Sequence, residues 1–119
     1  MPARFVILHH ASDAGEHWDL MLEHDQVLLT WQLAREPCAP GCLPLAARHI
    51  FDHPLRFLTY EGPLRRAPGR VCRVEGGKVE LHRVSPDRVQ FTLHGTRLGG
   101  RFELTRGQDD RWVLAAGAS

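Results

Sequence analysis

The sequence predicts an all-β fold of short antiparallel strands, a barrel or a sandwich, on three observations. From Gly69 onward five β-rich runs follow one another, GRVCRVEGG, KVELHRVS, RVQFTLHG, GRFELTR and RWVLAA, with turn formers between them. Residues 17–23, HWDLMLE, alternate polar and apolar with the period of two expected of a half-buried strand. Residues 34–44, AREPCAPGCLP, hold three prolines and a glycine and are too interrupted for a helix. At 119 residues the chain reads as one domain, 1–119, long enough to bury about two thirds of its unfolded surface.

The first strand is the apolar run Phe5-Val6-Ile7-Leu8, ending in the pair His9-His10. Residues 11–15, ASDAG, are turn formers, which predicts a hairpin with a loop of about six residues. In the second strand Trp18, Leu20 and Leu22 share one face, and His17, Asp19, Met21 and Glu23 the other. A tight turn at His24-Asp25-Gln26 leads into a third strand, Val27 to Leu33. Leu45 to Phe51 fits a short helical turn or a strand equally well, and Asp52-His53-Pro54-Leu55 punctuates the chain. Arg56 to Glu61, RFLTYE, alternates again. Gly62-Pro63 opens a loop carrying Arg65, Arg66 and Arg70. Turns are expected at Gly76-Gly77, Ser85-Pro86-Asp87, Gly99-Gly100 and residues 107–110. Alternation assigns Trp18, Leu20, Leu22, Val27, Leu29, Phe91 and Leu93 to the core.

Composition excludes some classes. The formal charge is +1, so no global basic field drives nonspecific nucleic-acid binding. Lys78 is the only lysine among fifteen basic residues; the rest are arginines, whose planar fork suits phosphate. No stretch approaches the roughly 18 apolar residues of a membrane-spanning helix, and the apolar run after Met1 is too short for a signal peptide. The expectation is a cytoplasmic protein that meets no membrane, with Cys38, Cys42 and Cys72 as reduced thiols. Cys38 and Cys42 lack a second Cys/His pair at the spacing of a zinc finger.

His17 and Asp19 project side by side from the second strand, and a histidine leaving the first strand, His9 or His10, meets them across the turn. Two imidazoles and a carboxylate on one side of an ion leave its other positions open. That set suits manganese, iron or zinc. The competing reading is the ordinary polar face of a hairpin.

The block from Phe5 to Glu23 resembles the 3′-phosphoesterase domain of bacterial DNA ligase D, whose pattern runs F-V-x-x-x-H, a short loop, then H-[YW]-D-[FL]-x-L-E. Asp52-His53-Pro54-Leu55 with Tyr60-Glu61-Gly62 resembles that family's D-H-P-L and [FY]-E-G. Residues 93–100, LHGTRLGG, and Trp112 resemble its later segments. The resemblance implies a small antiparallel β-barrel with an open groove and at most short helices. It places metal ligands at His10, His17 and Asp19, with His9 the rival for the first, and implies Mn2+ or another divalent transition metal such as Zn2+. His53 would contact the scissile phosphate, with Asp52 orienting its loop. The implied activity is removal of a 3′-ribonucleoside and then a 3′-phosphate from DNA or RNA-tipped DNA ends in non-homologous end joining. Ligase and polymerase modules would be separate partners of a stand-alone relative. The sequence departs from the family where arginines are usual, at Met21 and Leu45, and where a tyrosine is usual, at Phe57. Arg48 is the candidate substitute, with Arg65, Arg66 and Arg70 further phosphate contacts. Two other readings stay open: a noncatalytic module binding nucleic-acid ends, and a barrel oxygenase using non-haem iron held by two histidines and a carboxylate.

Overall fold

The computed structural model describes residues 2–38, 42–65 and 67–117. Among these the chain forms nine strands and a single 3-10 turn: β1 Ala3–Ser12, β2 Gly15–His24, β3 Val27–Leu33, β4 Leu45–His53, the 3-10 turn Leu55–Leu58, β5 Gly62–Pro63, β6 Arg70–Val84, β7 Arg88–Gly95, β8 Gly99–Arg106 and β9 Arg111–Ala116. The sheet runs β1-β2-β3-β4-β9-β8-β7-β6-β5, and a β1–β6 pairing closes the eight longer strands into an antiparallel barrel. Among the described residues no helix is long and apolar enough to cross a membrane.

Turn chemistry sets the first registers. Ser12 pairs with Gly15, so the β1–β2 turn holds two residues rather than the expected six. Asp25 and Gln26 both take positive φ, 50° and 69°, the backbone of a two-residue hairpin whose twist suits its strands. Leu45 to Phe51, open between helix and strand in the sequence, is strand, and the strand runs on through Asp52 to His53. Residues 56–61 are not the expected strand: Pro54, with φ fixed at −66°, begins the 3-10 turn instead. Nor does Gly76-Gly77 turn the chain. Both glycines lie inside the 15-residue β6. A Cβ at Gly77 would stand 2.1 Å from the His94 carbonyl oxygen, so glycine here permits close strand approach. Cys38 and Cys42, expected as thiols, have Cα atoms 5.6 Å apart and are joined by a disulfide; Cys72 is free and exposed.

The strands bury both faces of the first hairpin. Inside the barrel Phe5, Ile7, Leu20, Leu22, Trp31, Leu33, Leu45, Ala47, Phe91, Leu93, Leu104 and Trp112 form the main core. Trp18 and Leu29 are partly buried against it, and Val27 is half-buried. Outside the wall Val6, Leu8, Met21, Leu28 and Val71 form a second cluster, roofed by Phe57 and Leu58 from the 3-10 turn. Each of those two roof side chains contributes about 1.5–3 kcal/mol by leaving water.

Strand β4 carries an irregularity that matters for the site. Thr30 pairs with Ile50 and Leu28 with His53, so two steps along β3 match three along β4. Such a bulge reverses the inside–outside alternation of the residues after it. Leu45 and Ala47 point into the barrel. Past the bulge, His53 sits on the outer face with Leu28.

One further polar group is enclosed. Glu75 of β6 is buried. Its Oε1 accepts the amides of Gly76 (3.0 Å) and Thr96 (2.8 Å), and its Oε2 those of Arg97 and Leu98 (both 2.7 Å). That carboxylate holds the loop between β7 and β8. Burial alone would raise its pKa, but the four N–H groups outweigh burial and hold it below the usual carboxylate value.

Candidate metal centre

The β1–β2 register sets His10 opposite His17 and Leu8 opposite Asp19. Side chains paired across two strands emerge on the same face, so His10, His17 and Asp19 share the outer face with Val6, Leu8 and Met21. His10 Nδ1 lies 3.1 Å from His17 Nε2, and His17 Nε2 lies 3.2 Å from Asp19 Oδ1. One ligand-type atom from each of the three residues falls within 4.8 Å of the others. His9 is turned away. It pairs opposite Trp18, stacks on that indole with centroids 4.9 Å apart, and its Nε2 meets Glu16 Oε1 at 2.6 Å.

Surrounding contacts orient the cluster. His10 Nε2 donates to the Pro68 carbonyl at 2.8 Å, so the neutral ring keeps a bare lone pair on Nδ1. The loop comes that close because residue 69 is glycine. Its φ is +101°, and a Cβ there would lie 2.3 Å from the Ala11 carbonyl oxygen and 3.0 Å from His10 Nε2. Gln32 pairs opposite Asp19, and its amide nitrogen stands 3.5 Å from His17 Nε2.

Asp19 is the electrostatic anomaly. It is 4% exposed, and its Oδ1 is buried without a well-formed hydrogen bond; the nearest polar atom, His17 Nε2, approaches it to 3.2 Å. Burial pushes its pKa up, and the nearby charges of His17, His10 and His53 only partly oppose this. An orphaned buried carboxylate oxygen is rare and costly. Here it faces the lone pair of one imidazole and the ring nitrogen of another. The residues therefore fit a divalent cation, which would satisfy all three at once.

His53 stands beside this cluster. Its Nδ1 lies 3.0 Å from Thr30 Oγ1 and 3.1 Å from the Phe51 carbonyl oxygen. The Thr30 hydroxyl donates its proton to the Leu28 carbonyl at 3.0 Å, so it accepts from His53. Both neighbours being acceptors, Nδ1 carries the proton, and Nε2 has no hydrogen-bond partner among the described residues. Burial lowers the ring's pKa, with Asp19's charge acting against it. Asp52, beside it, is exposed and also favours the charged ring.

The arginines divide by face. Arg48 pairs opposite Gln32, which pairs opposite Asp19, so it is exposed on the outer face two strands from Asp19. Leu45 is inside the barrel, where an arginine would not meet the cluster. Met21 is buried in the outer core next to Val6 and Leu8. Arg65 is exposed in the loop whose Pro68 touches His10. Arg70 pairs opposite Ala11, one residue out of phase with His10, and so starts β6 on the opposite face. Arg66 lies outside the described residues.

Sequence reasoning missed Gln32 and Thr30. Both were within reach of it, because a two-residue turn at Asp25-Gln26 pairs position 19 with 32 and 21 with 30. It also missed the Pro68 carbonyl, for which the sequence holds no signal.

Comparison with known proteins gives a consistent result. The DNA Ligase D 3′-phosphoesterase domain profile matches residues 8–106. A multifunctional non-homologous end joining DNA repair protein LigD of Mycobacterium tuberculosis is 33% identical over 117 residues, covering 92% of this chain and 15% of that protein. A LigD of Pseudomonas aeruginosa is 27% identical over 124 residues, covering 93% of this chain and 14% of the relative. The chain therefore spans about one seventh of the length of the relatives it matches. By that profile match over most of its length, the chain belongs to the DNA ligase D 3′-phosphoesterase domain family.

Proposed function

We propose that this domain is a divalent-metal phosphoesterase that trims the 3′ ends of DNA, or of RNA-tipped DNA, during end-joining repair. The Asp19 oxygen enclosed beside His10 and His17 carries the reading, because a cation there would complete a buried carboxylate that protein atoms leave incomplete. Family membership supplies the reaction class. His10 through Nδ1, His17 through Nε2 and Asp19 through Oδ1 would hold the ion, manganese or zinc. When bound, it supplies Lewis acidity at the non-bridging oxygens of a phosphate.

The chain's own residues do the rest. Arg48, on the same face, grips the phosphate and makes up charge that Met21 cannot give. Arg65 adds to it from the loop over His10. His53, held through Nδ1 by Thr30 and Phe51, presents Nε2 to the phosphate. An arriving phosphate favours the protonated ring, whose Nε2–H then passes its proton to the leaving oxygen. Asp52 steadies that charge.

The test is turnover of a primer ending in a 3′-phosphate or a 3′-ribonucleotide, with manganese and with zinc, beside calorimetry of metal binding. Metal binding together with product supports the proposal; absence of metal binding ends it. Met21, buried in the outer core at a position where the family carries arginine, favours a second reading, a metal-holding module that binds 3′ ends without cleaving them. Metal and DNA binding with no product would select that reading.

A further inference from the structure

Phe51 does not behave as a strand residue should. It lies in the β4 bulge and is 75% exposed. One face of its ring stacks on His53, with centroids 4.8 Å apart and planes 14° from parallel. The other face is open to solvent. Val84 and Val113, the other exposed large hydrophobics among the described residues, are aliphatic and only 39% and 44% exposed. Phe51 is therefore the one large open aromatic face on the described surface, and it adjoins the ring that serves the phosphate.

We propose that Phe51 is the stacking platform for the terminal nucleobase of the strand whose 3′ end is processed. This rests on the reading of the site as one that receives nucleic-acid 3′ ends. The nucleoside joined to the reacting phosphate is one sugar away from it, and Phe51 is one ring away from His53. A base laid on the open face extends the column His53–Phe51 by one ring. Every base has a π-face, so such a platform takes a 3′ end of any sequence, as end repair demands. It also positions the sugar–phosphate link against His53. The flanking bulge residue Asp52 is exposed and charged, so the ring is isolated and flat, a poor seat for a protein surface but sufficient for one base.

The test is fluorescence anisotropy with manganese and a 5′-labelled strand ending in a 3′-hydroxyl, which is not turned over. One version ends in a normal nucleotide and a second in an abasic residue. Wild-type protein should bind the base-bearing end roughly 5- to 150-fold more tightly than the abasic end, the usual worth of one stacked base. Phe51→Leu should lose that preference while binding the abasic end as wild type does. Phe51→Trp should keep or strengthen it. Because the side chain is exposed, the thermal midpoints of both variants should match wild type. Equal wild-type affinity for the two ends overturns the platform but leaves the phosphoesterase reading intact. So does a Phe51→Leu protein that keeps the preference, which would assign the ring to a protein partner. Failure of wild type to bind either end overturns both readings.

Discussion

Two carboxylates are buried among the described residues of this small barrel, and the chain treats them in opposite ways. Glu75 receives four backbone amides, two on each oxygen, and is held ionised. Asp19 is more enclosed, has one oxygen without a well-formed hydrogen bond, and is pushed toward its neutral form. Glu75 is complete with protein atoms alone and fastens a loop. Asp19 is incomplete, beside two imidazoles whose ring nitrogens face it. The contrast shows that burial by itself identifies nothing; what separates a structural carboxylate from a binding one is whether the fold already supplies its partners.

The sharpest break of this comparison is Asp19→Asn. Ion binding and turnover should both fall below detection. The ion-free protein should be as stable as wild type or more so, by up to about 2 kcal/mol, because an unpartnered buried charge is removed. A clear drop in the thermal midpoint of the metal-stripped variant would show that Asp19 is already satisfied. His53→Ala comes next: turnover should fall by roughly 10²- to 10⁴-fold with calorimetric ion affinity nearly unchanged. Loss of the ion instead would make His53 a ligand and revive the non-haem-iron geometry.

Glu75→Gln should do the reverse of Asp19→Asn. Two amides would face an NH₂ in place of an oxygen, so stability should drop by about 3 kcal/mol, roughly 10 °C in Tm, while ion affinity stays within about twofold. An unchanged melting curve would refute the clamp.

The smallest effect is on acid stability of the chelated protein. Glu75 has a folded pKa below the 4.5 of the free group, so its contribution is present above pH 4.5 and disappears as pH falls through the folded value. Asp19 has a folded pKa above 3.8, so its contribution is full below pH 3.8 and disappears as pH rises through the folded value. Denaturant titrations across this range should show Glu75→Gln with a shallower loss in acid and Asp19→Asn with a steeper one. Parallel profiles would mean that the two carboxylates do not differ.

How much of this was legible depended on distance along the chain. His10, His17 and Asp19 lie within one hairpin, where a period of two and a short turn fix which side chains meet. The all-β fold was legible for the same reason, since most strands are joined to their neighbours by tight turns. Three of the four amide partners of Glu75 sit more than twenty residues away in a loop, and no local pattern announces them. Gly76-Gly77 reads as a turn locally, yet β1 and β7 on either side draw it into a strand. The roof over Met21 was hidden too, because alternation says which residues share a face but not what covers it.

The bulge in β4 has a consequence for how relatives are compared. Between Ile50 and His53 the chain spends one residue more than its neighbour strand, and this phase shift puts His53 and Arg48 on the same side of the wall. Deleting Phe51 would leave every letter of the D-H-P-L motif in place, and deleting Asp52 all but one; either would turn His53 toward the barrel interior. A relative with all the right residues and one fewer at this place would carry the motif without the site. In this chain the motif is a matter of phase as well as of letters, because the extra residue in β4 sets the side of the wall on which His53 emerges.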